Sequence, residues 1–330
     1  MEGQRTNPAT IAEVAQRLTA AGIAPARTEA RWLVEHAEAG GEGAVEDRLE
    51  GLVRRREAGE PLQLLLGRWP FRTVELELAP GVFLPRPETE VVAGVAVRYA
   101  TAAGPQPVVA EPCTGTGAIA ASLLAEVPGV QVHASDIDPG AVALARRNLA
   151  AVAGAERFTV HAGDLLTQLP EQLRGQLDLV VANPPYLPSS DVDHLDIEVA
   201  DHDPPAALFA GPDGHEVVDR LLELARAWLR PTGTVVLEID ARRGPAALIA
   251  AAGAGFPAAE LVTDLTGRDR VLVAHLTADP PPDGRPPTGD ARNTAEGVHP
   301  LPSNPPSNPP SSPPSRSATG TVAHPGEARR

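Results

Sequence analysis

The first sixty residues carry apolar side chains at helical spacing. Three groups of apolar positions recur every three or four residues and are separated by polar or glycine-rich stretches. An apolar stripe of this period is typical of amphipathic helices, so the pattern predicts three short helices. The stripes consist of Ile11, Val14, Ala15 and Leu18; Ala30, Leu33, Val34 and Ala37; and Leu49, Leu52 and Val53.

A short alternating segment follows the third helix. Gly59-Glu60-Pro61 ends that helix, and Val74 to Leu78 alternates apolar and acidic residues before Ala79-Pro80-Gly81. Alternation of this kind is typical of a strand with one face in solvent. The segment is predicted to connect the helices to the rest of the chain.

After Pro107 the pattern changes to short β-rich runs separated by helical ones. Strands alternating with helices predict an α/β fold with a parallel sheet. The predicted strands are Val108 to Ala110, Val130 to Ala134, Phe158 to His161, Leu177 to Ala182 and Val235 to Ile239.

The end of this region contains two further predicted elements. A broad apolar face between Val217 and Leu229 predicts a helix that Pro231 and Gly233 end. Val271 to Ala274 follows Leu261 and Val262 after a glycine turn, which predicts an antiparallel hairpin at one sheet edge.

Composition separates a folded part from a tail. Residues 279–330 are rich in proline and poor in large apolar side chains, so they are predicted to be disordered. The chain of 330 residues has a net charge of −15, which argues against a nucleic-acid substrate. Its single cysteine, Cys113, and the absence of a long apolar run predict a cytoplasmic protein outside the membrane. We expect no metal site.

A glycine turn follows the first predicted strand of the sheet. Glu111-Pro112 leads into Cys113, Thr114, Gly115, Thr116 and Gly117, and a helix begins at Ala118. Glycines allow a tight turn and close approach of a ligand, and a helix N-terminus favours a carboxylate. An isolated Gly-x-Gly fits an ordinary turn equally well.

Acidic residues after the next two strands extend this candidate cofactor site. Asp136 lies where an acid can accept both hydroxyls of a ribose, while Asp138 is predicted to cap the following helix. Asp164 can accept from an adenine amine and Leu165 can pack on the ring, although a plain surface turn remains an alternative. Ala120 occupies the third glycine position of a dinucleotide fingerprint, which tolerates alanine, so a dinucleotide also remains open at this point.

The strand Leu177 to Ala182 leads directly into Asn183, Pro184, Pro185 and Tyr186. The Asn183 side chain and the Pro184 carbonyl can accept both N–H groups of a planar amide or amine. The nitrogen lone pair then faces a methyl donor, and fixed carbonyl dipoles favour the positive charge that grows on nitrogen during transfer. The aromatic face of Tyr186 adds to this attraction. The tetrapeptide is therefore predicted to be catalytic.

With these residues in place, the sequence resembles the HemK/PrmC family of protein N5-glutamine methyltransferases between about Thr10 and His275. The likeness extends well beyond the glycine turn and the tetrapeptide. It includes Glu60-Pro61-Leu62-Gln63, Gly67, Phe71, Leu84-Pro85-Arg86-Pro87-Glu88-Thr89-Glu90, Glu198-Val199-Ala200-Asp201-His202-Asp203-Pro204 and Gly211-Pro212-Asp213-Gly214.

The resemblance implies a class I S-adenosylmethionine-dependent methyltransferase with a Rossmann-like, seven-stranded, mostly parallel sheet. It assigns residues 1–70 to a helical substrate-recognition domain, 71–84 to a β connector, 85–278 to the methyltransferase domain and 279–330 to the tail. The implied cofactor is S-adenosylmethionine, held by Cys113 to Gly117, Asp136, Asp164, Leu165 and Asn183. The implied partner is a peptide chain release factor, methylated on its Gly-Gly-Gln glutamine, and we expect a monomer.

Some positions depart from the family pattern. Glu111 stands where aspartate is usual, Leu64 where an aromatic residue is common, and the segment Leu237 to Asp240 is also unusual. A paralogue acting on another protein glutamine therefore remains an alternative, as does a methyltransferase for exocyclic amines of nucleic acids. The sequence leaves open whether Glu88 and Glu90 contact the cofactor.

Overall fold

The computed structural model describes residues 8–40 and 43–278. The predicted tail, residues 279–330, lies outside the described residues. Within the described part, no helix is both long enough and apolar enough to cross a membrane.

The three predicted N-terminal helices are present as α1 (Pro8–Ala20), α2 (Ala26–Ala39) and α3 (Val45–Glu57). Their apolar stripes face one another, and Leu18, Leu33 and Val53 are fully buried. A short helix, α4 (Leu62–Leu66), ends at Gly67, whose φ of 68° is in the left-handed region that glycine adopts readily.

The predicted connector strand is part of a hairpin. Strand β2 (Val74–Glu77) pairs antiparallel with β1 (Arg68–Phe71), which the sequence analysis did not predict. Leu76 is buried while its two acidic neighbours are exposed, so the predicted alternation is confirmed. The hairpin joins the apolar core of the N-terminal helices to the helices of the large sheet.

The large sheet contains seven strands in the order β5-β4-β3-β6-β7-β9-β8. The first five in this order are parallel, and the last two form the predicted antiparallel hairpin at the edge. Their bounds are β3 (Val108–Pro112), β4 (Gln131–Asp136), β5 (Phe158–Ala162), β6 (Leu177–Ala182), β7 (Leu229–Glu238), β8 (Ala258–Thr263) and β9 (Asp269–His275).

Helices cover this sheet and supply much of its core. Apolar side chains from the sheet and the helices form two large buried clusters. The helices are α5 (Pro87–Ala102), α6 (Ala118–Glu126), α7 (Pro139–Val152), α8 (Ile197–His202), α9 (Pro205–Leu208), α10 (Glu216–Trp228) and α11 (Gly244–Gly253).

The predicted end of α10 differs from the structure. The helix stops at Trp228, and β7 begins at once with Leu229, so Pro231 and Gly233 lie within the strand bounds. The register between β6 and β7 shifts there, from Leu177 opposite Leu229 to Leu179 opposite Thr234. Proline has no N–H to donate to a ladder, so it is accommodated in this irregular stretch.

The sheet order creates a crevice between β3 and β6. From β3 the chain proceeds to β4 and β5 on one side, and from β6 to β7 on the other. Ligands of open α/β sheets bind beyond the carboxyl ends of strands at such a switch point. The glycine turn follows β3 and the Asn183 tetrapeptide follows β6, so the fold brings both predicted motifs to this crevice.

Candidate active site

The glycine turn is held by the side chain that precedes it. One carboxylate oxygen of Glu111, Oε2, accepts hydrogen bonds from the Thr114 hydroxyl at 2.7 Å and from the Ala120 N–H at 3.0 Å. Burial raises the pKa of Glu111 to about 8. The carboxylate that departs from the family pattern is therefore occupied by the turn itself.

Left-handed backbone conformations shape this turn. Cys113, Gly115 and Gly117 have φ values of 57°, 55° and 80°. A Cβ on Gly117 would lie 3.3 Å from the Cβ of Ala145, so a larger residue is disfavoured by both strain and space. A Cβ on Gly115 would meet no atom within 4 Å, so the backbone is open to the crevice there.

Asp136 ends β4 beside the turn. Its Oδ2 accepts from the Gly115 N–H at 2.9 Å and its Oδ1 accepts from the Asp138 N–H at 3.0 Å. Burial raises the pKa of Asp136, and these backbone donors oppose that effect. Each oxygen still has a lone pair for a ligand. Asp138 accepts from the N–H groups of Gly140 and Ala141, which confirms the predicted helix cap.

The turn after β5 completes the side of the crevice that is predicted to hold the cofactor. The Gly163 N–H donates to the Asp136 carbonyl at 2.8 Å, and the Ser135 hydroxyl donates to the Leu165 carbonyl. Leu165 is buried with a φ of 50°, a strained conformation that these neighbours hold. Asp164 forms an ion pair with Arg220, so its carboxylate is shared between this arginine and the crevice.

One continuous cavity of about 390 Å³ occupies the crevice. It contains the glycine turn, Asp136, Asp164 and Leu165 on one side, and Asn183 and Pro185 on the other. Gly117, Pro184 and Tyr186 are not among the residues that line it. The fold thus brings most of the predicted cofactor residues to one space, together with Asn183 and Pro185 of the tetrapeptide.

Asn183 and Tyr186 belong to one hydrogen-bond network. The Asn183 amide donates from Nδ2 to the Thr89 hydroxyl at 3.2 Å, and Thr89 donates to Oε2 of Glu238 at 2.8 Å. The Tyr186 hydroxyl donates to Oε1 of the same carboxylate at 3.2 Å. Burial raises the pKa of Glu238 to about 7 and, with Glu238 adjacent, raises the pKa of Tyr186.

Two stretches that contain segments of the family resemblance meet at the cavity. Phe83 and Pro85 come from the stretch after β2, and Pro204 and Phe209 come from the stretch between β6 and α10. The buried Asp203 carboxylate connects these two stretches. It accepts a hydrogen bond from the Leu84 N–H and forms an ion pair with Arg86.

Sequence reasoning did not assign roles to Thr89, Glu238, Ile137 or Phe83. Ile137 follows Asp136 and is 70% exposed although it lines the cavity, an unusual state for a large apolar side chain. The sequence does contain a signal for Glu238, because this acidic residue directly follows the apolar run Val235-Val236-Leu237. Among residues 8–40 and 43–278, no cluster of His, Cys, Asp and Glu is arranged to hold a metal ion.

Comparisons with known proteins agree with this architecture. Residues 102–200 match the family model described as Methyltransferase small domain. The hMettl16 catalytic domain, solved in complex with a 3′UTR hairpin, superposes with a TM-score of 0.51 at 16% identity, covering 68% of this chain and 83% of that one. At that identity the likeness concerns the fold alone. The sheet order, the glycine turn and the cavity at the switch point define a class I methyltransferase.

Sequence relatives narrow this class. The chain is 40% identical to the release factor glutamine methyltransferase of Streptomyces coelicolor over 276 residues, which cover 81% of this chain and 96% of the relative. It is also 40% identical to the enzyme of that name from Mycolicibacterium smegmatis, over 78% of this chain and 93% of the relative. The chain belongs to the release factor glutamine methyltransferase family, as its sequence motifs predict.

Proposed function

We propose that the protein transfers a methyl group from S-adenosylmethionine to the side-chain amide nitrogen, N5, of a glutamine in a peptide chain release factor. The observation that carries the proposal is the single cavity shared by the glycine turn and Asn183. A methyl donor on one side and an amide on the other would meet inside it. Family membership supports the choice of substrate.

The residues present fit this cofactor. A volume of about 390 Å³ is within the range of small-molecule sites. Asp136 offers acceptors for ribose hydroxyls, and the apolar side chains of Ile137 and Leu165 flank the space where an adenine ring would lie. The open backbone at Gly115 and the start of α6 would hold the charged amino-acid end. When bound, S-adenosylmethionine supplies an activated methyl group on a positively charged sulfur.

The chain's own contribution to the transfer is orientation and electrostatics. Asn183 Oδ1 would accept one N–H of the glutamine amide and the Pro184 carbonyl the other, so the nitrogen lone pair points toward the methyl group. An amide nitrogen is a weak nucleophile because its lone pair is delocalised, and alignment therefore provides much of the rate. Both acceptors carry partial negative charge, which stabilises the positive charge that grows on nitrogen.

We infer a division of labour along the chain from the same family likeness. Residues 1–70 would help to hold the release factor, 71–84 would connect, and 85–278 would carry out the transfer. The continuous core between α1–α3, the hairpin and the sheet supports a fixed placement of the first region beside the second. Binding assays with substitutions on the exposed faces of α1–α3 test this division.

The function is tested by incubating purified release factors with the enzyme and S-adenosylmethionine and mapping added methyl groups by peptide mass spectrometry. We expect one added methyl on the Gly-Gly-Gln glutamine. The matched control is a release factor in which asparagine replaces that glutamine, which should stay unmodified. Methylated RNA or DNA in parallel reactions, with unmodified release factor, would support the nucleic-acid alternative instead.

A further inference from the structure

Four side chains from three separate parts of the chain form a hydrogen-bonded series behind the cavity. Asn183 follows β6, Thr89 lies in the first turn of α5, Glu238 ends β7 and Tyr186 closes the tetrapeptide. The series runs from Asn183 through Thr89 to one oxygen of Glu238, and from the other oxygen to Tyr186. Thr89 and Glu238 are 4% and 1% exposed, so water competes little for these bonds.

The proton inventory fixes the direction of each bond. An ionised carboxylate can only accept, so Thr89 and Tyr186 must both donate to Glu238. A threonine hydroxyl has one proton, and Thr89 has given it to Glu238. Thr89 can then only accept from Asn183, which requires the NH₂ group of Asn183 to face Thr89. The amide oxygen of Asn183 is consequently turned toward the cavity.

We propose that Glu238, acting through Thr89, is the positioning residue that turns the Asn183 amide oxygen toward the substrate and holds Tyr186 in place. This inference rests on the proposed role of Asn183 as an acceptor for the glutamine amide. Without the Glu238–Thr89 contact, the Asn183 amide can rotate by half a turn, and its NH₂ group then faces the NH₂ group of the substrate. Two donors facing each other cannot form the bond that aligns the nitrogen.

The same logic makes the orientation depend on the charge of Glu238. A protonated Glu238 carries one O–H. If this O–H donates to the Thr89 hydroxyl, that hydroxyl can in turn donate to the amide oxygen of Asn183. The Asn183 side-chain amide then flips, and its NH₂ group faces the cavity. Methylation should therefore decrease as the pH falls and Glu238 gains its proton.

Several groups around Glu238 influence that protonation. Arg270 on β9 favours the ionised form of Glu238. The hydrogen bonds that Thr89 and Tyr186 donate to Glu238 do the same. Burial and Glu88 on α5 favour the protonated form. Asp240, two residues beyond Glu238, adds negative charge near Tyr186. Burial has the largest effect and raises the pKa of Glu238 to about 7, so the change falls in a range that enzyme assays cover.

Thr89 offers a matched pair of substitutions. Thr89→Val keeps the shape and removes the hydroxyl, whereas Thr89→Ser keeps the hydroxyl and removes a methyl group. Thr234→Val is the control for loss of a buried threonine hydroxyl elsewhere, because Thr234 is also 4% exposed and bonds to His275 away from the cavity. Glu238→Gln keeps the size of the carboxylate, but its one oxygen and one NH₂ cannot accept from both partners.

The experiment measures kcat and KM for release-factor methylation from about pH 5.5 to about pH 9, with cofactor Kd and thermal melting for each folded variant. We expect Thr89→Val and Glu238→Gln to lower kcat roughly 10-fold or more while cofactor Kd stays within about 3-fold. Thr89→Ser should restore most of the rate, and Thr234→Val should match the wild type. The wild-type rate should fall below about pH 7, and Glu238→Gln should lack that acid limb because an amide does not titrate.

The outcomes separate this inference from the proposed function. If Asn183→Ala abolishes methylation but Thr89→Val and Glu238→Gln turn over like the wild type, Asn183 needs no positioning and the inference is wrong. An acid limb that persists in Glu238→Gln would assign the pH dependence to another group and overturn that part. If Asn183→Ala itself has no effect, the proposed acceptor role fails first. Should Glu238→Gln not fold, the two Thr89 variants decide the matter alone.

Discussion

The carboxylate of Asp203 accepts a hydrogen bond from the backbone N–H of Leu84 at 3.2 Å, across 119 positions of sequence. The same carboxylate pairs with Arg86, whose guanidinium lies over the Phe83 ring at 5.3 Å. One buried acid therefore joins the two segments that cover the cavity. The position of Phe83 and Pro85 at the cavity depends on it.

We expect Asp203→Ala to weaken this cover. Loss of the carboxylate leaves the Leu84 N–H and Arg86 without their partner, which should cost about 1–3 kcal/mol of folding stability. Cofactor Kd should rise several-fold because Phe83 and Pro85 lose their support. Thermal melting and calorimetric titration measure the two effects. Asp201→Ala, which removes an exposed acid two residues earlier, is the control and should change neither quantity.

Asn183→Ala should separate binding from chemistry. The side chain is proposed to hold the substrate amide, so cofactor Kd should stay within a few-fold of the wild type. Methylation should slow by at least about 10²-fold, comparable to the loss of one preorganised polar contact. Turnover is followed by mass spectrometry of the substrate peptide. An Asn183→Ala enzyme with wild-type turnover would rule out the acceptor role.

Asp136→Asn should reduce cofactor binding. The carboxylate accepts from the Gly115 and Asp138 N–H groups and is proposed to accept from ribose hydroxyls as well. An amide replaces one acceptor oxygen by a donor, which would face a backbone N–H or a hydroxyl. We expect Kd to rise at least about 10-fold, measured by titration calorimetry. Asp193→Asn, at an exposed position, is the charge-matched control.

Glu111→Gln should change how stability depends on pH. Burial raises the pKa of Glu111 in the folded state to about 8, well above the value of an exposed glutamate. The folded state therefore binds this proton more tightly than the unfolded state does. Between about pH 4.5 and pH 8, the contribution of Glu111 to the free energy of unfolding falls as pH rises, because the group has to be ionised in its buried position.

Glutamine removes this titration and can keep both existing contacts, because the Thr114 hydroxyl and the Ala120 N–H bond to the same oxygen. We expect Glu111→Gln to melt at a higher temperature than the wild type near pH 8. The difference should shrink toward about pH 5. Melting curves of both proteins across this range provide the measurement. A difference that does not vary with pH would contradict the assignment.

The order of helices and strands could be predicted because each is encoded locally. Apolar periodicity identified α1 to α3, and β-rich runs identified the parallel strands; the predicted bounds of Leu177–Ala182 match β6. Strand β1 was missed because Arg68-Trp69-Pro70-Phe71 is only four residues long and contains proline. Its identity as a strand comes from pairing with β2, which is a tertiary property.

The candidate site likewise has a part that local sequence motifs predict and a part that depends on tertiary structure. The glycine turn and the tetrapeptide are contiguous motifs, and the switch-point rule predicts where they meet. The bond between Thr89 and Glu238 spans 149 positions, and neither residue belongs to a local pattern that announces the other. Glu238 drew attention in the sequence only as part of an unusual segment. Its partners Thr89 and Tyr186 are brought to it only by the packing of α5 and β6 beside β7.

Strand β9 inserts between β7 and β8, although it is the last strand of the sheet to be synthesised. Until β9 pairs, β7 is an unprotected edge, and Glu238 lacks the neighbouring Arg270. In a nascent chain, β3, β4 and β5 are therefore available to pair before β7 has its final neighbour. The hydrogen-bonded series from Asn183 to Tyr186 has all its neighbours only when residues 269–275 have emerged from the exit tunnel.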